Sequence, residues 1–440
     1  MTRLTRYHLI IVLLAGACFI WGCARTERTE TRRRTACEVL DNGLTLVAEE
    51  SPGSGLASVV VYVGDGGLYE AAENAGTAYL LSLAVFQKTD SRAYGELPLE
   101  IVNIGGTISR RVEFDYTAYL FSSPAERFDD LLALVAEGLL HSVIDDEVIE
   151  RERALAASRA ANPWERQIDR AYQSALALYF GDHPYGRSSL GDPDVISSIG
   201  IDDLAEHHGR VYAASNMLVS VAGDIDVSEV LETLAVLFED AEPGEPATPV
   251  AEPVLEPVGT STVLRGEGPA ASLVLAFPAP GAHDTHDVAM DVLLVAAGGP
   301  SDSRLSRALS GKAGLVTGID AGWYTRKQPS PFIVWVTLPP ANLEAAEAGV
   351  VDVLRKMAEE PLAEEDLSRS KDVIELNYAL DRERSITMAM TNAYWVWVAG
   401  ETFWREYHSR IRSVTSEEVR AAAEAYFASG RHTSAAVLPE

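Results

Sequence analysis

The stretch Ala57-Ser58-Val59-Val60-Val61-Tyr62-Val63 returns as Ala271-Ser272-Leu273-Val274-Leu275-Ala276-Phe277, 214 positions further along the chain. Both are apolar runs of strand length. A second pair repeats in the same order. Ile196-Ser197-Ser198-Ile199, a helical segment and Val219-Ser220-Val221 match Ile411-Arg412-Ser413-Val414, a helical segment and Ala435-Ala436-Val437 at an offset of 215 to 216. Two matches at one spacing predict a duplicated domain of about 200 residues per copy.

Between the copies lies Glu239–Val258, with five Pro, six acidic residues and no Lys or Arg, a composition that holds neither a helix nor a central strand. It reads as a linker, which places an N-terminal domain at 37–238 and a C-terminal domain at 259–440. Within the first copy, Asn42-Gly43 marks a hairpin between Glu38–Asp41 and Leu44–Glu49. A strand at 57–63, a helix at 75–88, a strand near 107–122 and helices at 125–141, 145–160 and 164–180 follow. A helix from Ile201 and a strand at 217–222 close the copy. In the second copy Thr415 and Glu418 form a capping box ahead of the last helix. Strands and hairpins mixed with long helices indicate an α+β fold rather than a doubly wound parallel sheet.

Of the 440 residues, 65 are Asp or Glu against 36 Lys or Arg, a net charge of −29, and 47% are apolar. That much apolar surface supports a folded core, and the acidic balance disfavours nucleic-acid binding, which needs clustered basic side chains. Residues 1–23 start with Arg3 and Arg6 and continue in an apolar run from Leu9 to Gly22, too short to span a bilayer as a helix. The segment reads as a signal peptide of the lipoprotein type, with Cys23 as the lipidated residue and Cys18 as the alternative. Residues 24–36 then form a flexible tether, and the expected location is the bacterial cell envelope, lipid-anchored on the periplasmic or outer-membrane side.

Gly64-Asp65-Gly66-Gly67-Leu68-Tyr69-Glu70, running into Glu73-Asn74-Ala75-Gly76, resembles the lead-in to the zinc helix of the pitrilysin/insulinase metallopeptidases, the inverzincins. Glu150-Arg151-Glu152-Arg153, Gly181-Asp182-His183-Pro184-Tyr185-Gly186-Arg187, Ala222-Gly223-Asp224 and Gly298-Gly299 with Ser303-Arg304-Leu305 add to the resemblance in family order, over roughly residues 38–438. The resemblance implies two related α/β sandwich domains of the mitochondrial-processing-peptidase-like type, arranged as a clamshell and often paired with a second such chain.

Active members carry H-x-x-E-H on the helix after the Asn-Ala-Gly segment. Positions i, i+3 and i+4 share one helical face, so two imidazoles can hold zinc while the Glu activates its water. In register, this chain has Tyr79, Ser82 and Leu83 there, and Arg159 where the family places its third ligand. Leu83 has no lone pair, Ser82 is no base near neutral pH and Tyr79 would have to ionise from near 10. A catalytic zinc needs three protein ligands, so the expectation is no metal, no cofactor and no catalytic residue. The family's R-x-K-x-G-L-x-Y segment, whose Arg and Tyr grip substrate, corresponds to residues 310–317, with Ser310 and Thr317 at the Arg and Tyr positions. Lys312 and Tyr324 are the substitutes to weigh for that role.

Rival sites are weaker. His207 and His208 point about 100° apart on a helix and read as surface or groove histidines. His283 and His286, with Asp284 and Asp287, read as a polar helix start, and His183 as a structural turn residue. No nucleophile elbow or phosphate loop occurs. Tyr394, Trp395, Trp397, Phe403 and Trp404 read mainly as core, with a peptide groove as the alternative. The functional expectation is an inactive family member that partners a zinc-bearing homologous subunit acting on unfolded peptides. The alternatives are a stand-alone peptide-binding or envelope scaffold lipoprotein and, third, a peptidase with an unrecognised site.

Overall fold

The structure, a computed structural model, describes residues 34–161, 166–248, 259–299, 302–311 and 313–440. Cys18, Cys23, the leader, most of the tether, the second half of the linker and Lys312 lie outside the described residues.

The first half contains β1 (Thr35–Val39), β2 (Thr45–Glu50), β3 (Leu56–Val63), α1 (Thr77–Ala84), α2 (Glu96–Asn103), β4 (Thr107–Val112) and β5 (Thr117–Pro124). It continues with α3 (Phe128–Leu140), α4 (Asp146–Ala161), α5 (Gln167–Phe180), α6 (Pro193–Ser198), α7 (Ile201–Val211), β6 (Met217–Gly223) and α8 (Val227–Leu237). The second half contains β7 (Ser261–Gly266), β8 (Ala271–Phe277), α9 (Asp287–Ala297), α10 (Arg304–Leu309), β9 (Gly318–Gly322) and β10 (Phe332–Leu338). Then come α11 (Leu343–Glu359), α12 (Glu364–Asp381), α13 (Ser385–Ser413), α14 (Ser416–Phe427) and β11 (Thr433–Pro439).

The two sheets repeat one plan. The first has the order β1-β2-β6-β3-β5-β4 and the second β7-β11-β8-β10-β9. The parallel pair β2–β6 corresponds to β7–β11, and antiparallel β3–β5 and β3–β6 to β8–β10 and β8–β11. The two similar stretches are β3 and β8, in equivalent central positions. The fold is thus mixed α/β, built from two related sandwiches.

Both faces of each central strand are covered, which explains why these strands read as almost continuous apolar runs. Val59, Val61 and Val63 of β3 point to the core under α1 and α3, and Val60 and Tyr62 point the other way. That second face is covered by a helix from the other half: Met388, Ala389, Ala393 and Val396 of α13 pack on Val47, Val60, Tyr62 and Leu218. The exchange is mutual. Ala171, Ala175, Leu176 and Tyr179 of α5 pack on Val274, Ala276, Ile333 and Val437 of the second sheet. The halves are therefore interlocked by one helix each, and α13 itself bends at Gly400, whose φ of 82° lies outside the helical range.

Two local expectations change. The helix expected at 75–88 is only α1, because Gly76 at φ 107° and Phe86 at φ 75° stand outside helical geometry on either side. Phe86 instead turns its ring onto α3, where a Cβ on Gly138 would lie 2.0 Å from it. The single strand expected near 107–122 is the hairpin β4–β5, which turns through Glu113–Tyr116. Of the acidic linker, residues 239–248 have neither helix nor strand, and Ala214 N–H and Ser215 N–H donate to the carbonyls of Glu242 and Pro243.

Candidate functional site

All eight residues of α1 are buried, so the helix is a core element whatever else it does. No side chain at its own N-cap holds the first turn. Glu70, from the glycine-rich lead-in, does so from a distance: its carboxylate accepts the N–H groups of Gly76 at 2.9 Å and Ala78 at 2.7 Å. Burial pushes the Glu70 carboxyl up to about 7, against the pull of those two donors. Arg187, from the Gly181–Arg187 motif, donates to the Glu70 carbonyl at 2.7 Å. Gly191 must be glycine, since a Cβ there would lie 2.2 Å from Gly76 Cα. The motif residues that resemble a peptidase thus position α1.

On the face where a metal would sit, Tyr79 is 7% exposed and belongs to the first core, as does Leu83. Ser82 is fully buried and its hydroxyl donates back to the Tyr79 carbonyl at 2.7 Å. Arg110 of β4 donates to the carbonyls of Ser82 at 3.1 Å and Leu83 at 3.4 Å, laying a guanidinium on the C-terminal turn of α1. A cation suits that negative helix end and repels a second cation. Arg159 is exposed on α4. Glu152 of α4 is buried and accepts the Tyr94 hydroxyl at 2.6 Å, with Arg151 over the same ring. A set of phenol, hydroxyl, hydrocarbon and guanidinium, with no thiolate, imidazole or carboxylate, does not fit zinc. Among the described residues no group of three or more His, Cys, Asp or Glu is placed to hold a metal.

Ser310 ends α10 and Thr317 stands exposed before β9, where its N–H and hydroxyl both donate to the Thr337 carbonyl. Both sit at the rim of the second core, whereas Tyr79, Ser82 and Leu83 lie inside the first. Tyr324 is 62% exposed.

The expectation for His207 is corrected: it is buried. Its Nε2 lies 2.9 Å from the Asp65 carboxylate, and Arg210 reaches its Nδ1 at 2.8 Å. Burial disfavours the charged ring, but the Asp65 carboxylate outweighs this and holds the pKa above its ordinary value. His208, stacked on Tyr212, is pushed down to about 4 by burial. Asp284 accepts the His286 N–H at 2.8 Å, a local turn at the start of α9. His183 accepts the Tyr185 N–H through Nδ1, as a structural turn residue does.

A second feature is a cavity of about 820 Å³ between the halves. It is lined by the outer face of the first sheet (Tyr62, Arg111, Tyr116) and by α5, α9, α13 and the segment after β9. Arg111 pairs across the strand with Ala118, which faces α13, so the cavity and α1 lie on opposite faces of that sheet. The aromatic residues Tyr394 and Trp395, weighed as core or groove, line it.

Residues 45–192 match the family model described as Insulinase (Peptidase family M16), and residues 198–374 match that described as Peptidase M16 inactive domain. An uncharacterized zinc protease of Streptomyces coelicolor is 25% identical over 422 residues, covering 93% of this chain and 89% of the relative. One from Rickettsia bellii is 23% identical, covering 78% and 83%. The beta subunit of the yeast mitochondrial-processing peptidase is 28% identical over 50% of this chain and 47% of its own length. Among solved structures, a Helicobacter pylori protease superposes with a TM-score of 0.82 at 20% identity, covering 92% of this chain and 100% of that one. A Pseudomonas fluorescens peptidase M16 inactive domain gives 0.82 at 17% identity, covering 92% and 98%.

Proposed function

We propose a function from one premise, that this chain belongs to the insulinase family of peptidases (family M16): it is a non-catalytic member that serves as the partner subunit of a zinc-bearing homologue acting on unfolded peptides. The observation that carries the non-catalytic reading is the face of α1. Tyr79, Ser82 and Leu83 are packed into the core and the helix end is occupied by the Arg110 guanidinium, so neither a ligand set nor a water-activating base stands where family chemistry would need them. The partner role is supported by relatives named as a subunit beta of the mitochondrial-processing peptidase.

The chain is further proposed to be an envelope lipoprotein anchored through Cys23, with Cys18 as the alternative. Among the described residues no helix is long and apolar enough to cross a membrane. Affinity purification of the tagged full chain from its native cells tests the partner role. A stoichiometric companion bearing H-x-x-E-H is expected, and chelator-sensitive peptidase activity should appear only with that companion present. Chelator-sensitive cleavage by the pure chain would overturn the reading.

A further inference from the structure

We infer that the cavity between the halves is a binding site for a small organic cation, with its charge held against Asp291 and its apolar body against an aromatic wall. At about 820 Å³ it has the size of a small-molecule site. One wall is a single face of α13. Thr387, Met390, Thr391, Tyr394 and Trp395 recur at i, i+3, i+4, i+7 and i+8 and line the cavity, while Met388, Ala389 and Ala393 on the other face meet the first sheet. Across from them, Tyr62 and Tyr116 stack at 4.1 Å with their planes 10° apart. Phe114, Tyr172, Trp323 and Tyr324 complete the aromatic lining. Ring faces are electron-rich and attract cations.

The charges of the lining select the same class. Four carboxylates (Glu113, Asp115, Asp291, Asp381) stand against two guanidiniums, Arg111 and Arg326. Both guanidiniums are already engaged. Arg111 pairs with Glu113 at 3.8 Å, and Arg326 lies over the rings of Phe114 at 4.5 Å and Tyr185 at 4.8 Å, where the Tyr185 hydroxyl donates to Asp115. Asp291 and Asp381 receive only hydroxyls, from Tyr407 at 2.8 Å and Thr391 at 3.3 Å, and among the described residues neither is ion-paired to a Lys, Arg or His. Asp291 keeps part of its surface accessible. It nevertheless lies far enough from bulk water that burial pushes its carboxyl up to about 7. A partly desolvated carboxylate with no counterion attracts a cationic guest more strongly than one in bulk water does. Facing Asp291 are Tyr407 and Tyr394 of α13, both raised well above 10, and Asp287 one turn earlier on α9. This site is independent of α1, which lies on the far side of the first sheet.

The test is a fluorescence titration of the full chain, in which Trp323 and Trp395 report on the cavity. Benzyltrimethylammonium, a permanent cation, should produce a saturable change, and benzenesulfonate should produce none at equal concentration. Raising the pH from 6 to 8 should tighten binding about tenfold, since a carboxyl with a midpoint near 7 passes from about one tenth to about nine tenths ionised. Asp291→Asn should weaken binding at least about tenfold and flatten that profile, whereas Asp381→Asn should weaken it less and leave the profile in place. Equal affinity for the anion, no saturation by either probe, or native affinity in Asp291→Asn overturns the inference. Should Asp291→Asn fail to fold, the native chain decides, because a pH-independent affinity for benzyltrimethylammonium overturns it equally.

Discussion

The interlock of the two halves has a charged bolt that can be drawn by one substitution. Glu49 of β2 is 2% exposed, and Arg382, at the turn between α12 and α13, grips it through Nε at 3.2 Å and Nη2 at 3.1 Å. Asn392 of α13 donates to the same carboxylate at 2.9 Å and itself accepts the Trp404 indole N–H at 3.0 Å. Arg382→Ala removes the guanidinium and leaves a carboxylate in a dry interface, a change that costs about 3 to 5 kcal/mol. Unfolding entropy of about 2 cal/mol/K per residue gives about 0.85 kcal/mol/K for roughly 400 residues, so the melting temperature should fall by about 4 to 6 °C. The double variant Glu49→Gln with Arg382→Met removes both charges and keeps most of the volume, and it should melt closer to the native chain than Arg382→Ala does. Differential scanning calorimetry reads both. An Arg382→Ala midpoint within about 1 °C of native, or a double variant as unstable as the single, would refute the claim that this ion pair holds the halves together.

Elemental analysis of purified residues 37–440 should find less than about 0.1 zinc per chain, because phenol, hydroxyl and hydrocarbon supply no ligand set. Installing Tyr79→His, Ser82→Glu and Leu83→His together should not raise it to one zinc per chain while Arg110 and Arg159 remain. Stoichiometric zinc in either protein contradicts the reading of α1. Glu70 gives a pH signature. Its carboxyl rises from 4.5 to about 7 on folding, so this group's contribution to stability is complete below about pH 4.5 and is lost as pH climbs through about 7. A rise from 4.5 to about 7 is worth about 3 kcal/mol, and Glu70→Gln should flatten the fall in melting temperature between pH 5 and 8. Labelling cells with a radioactive fatty acid should mark the native chain and Cys18→Ser but not Cys23→Ser, and the reverse pattern would assign the anchor to Cys18.

What could be read from the chain alone was whatever its own neighbours determine. β3 and β8 announce themselves because a strand covered on both faces is apolar at nearly every position, and α1 keeps its register through Asn74-Ala75-Gly76. The exchange of α5 and α13 was not legible. Helix periodicity marks an apolar stripe but does not say which sheet receives it, and α13 carries two working faces, one for the sheet and one for the cavity. His207 finds Asp65 from 142 residues away, so a local reading leaves it at the surface. Glu113-Phe114-Asp115-Tyr116 turns a hairpin without the usual Gly or Asn, which merged β4 and β5 into one strand. Asp291 of α9 was not singled out. The available signal was an Asp inside the apolar run Asp287-Val288-Ala289-Met290-Asp291-Val292-Leu293-Leu294, a residue expensive to bury unless something is there to meet it.

The same contrast separates what α1 does from what it would do in a peptidase. A zinc site asks its helix for an accessible face with free lone pairs. A core asks for the opposite, and here every side chain from Thr77 to Ala84 is buried, the Ser82 hydroxyl is turned back on the helix, and both helix ends are closed by charges from elsewhere, Glu70 at the start and Arg110 at the finish. The lead-in motif and the Gly181–Arg187 motif are still needed for that arrangement, because they deliver Glu70 and Arg187 to the first turn. Those motifs are thus accounted for by the packing of α1 alone, and under the proposed function the working surfaces lie elsewhere. The cavity on the opposite face of the sheet is such a surface, built from residues of both halves and dependent for its shape on the helix exchange that Arg382 and Glu49 secure. Drawing that bolt should therefore weaken benzyltrimethylammonium binding as well as lower the melting temperature, and a variant that loses stability while binding with native affinity would separate the two.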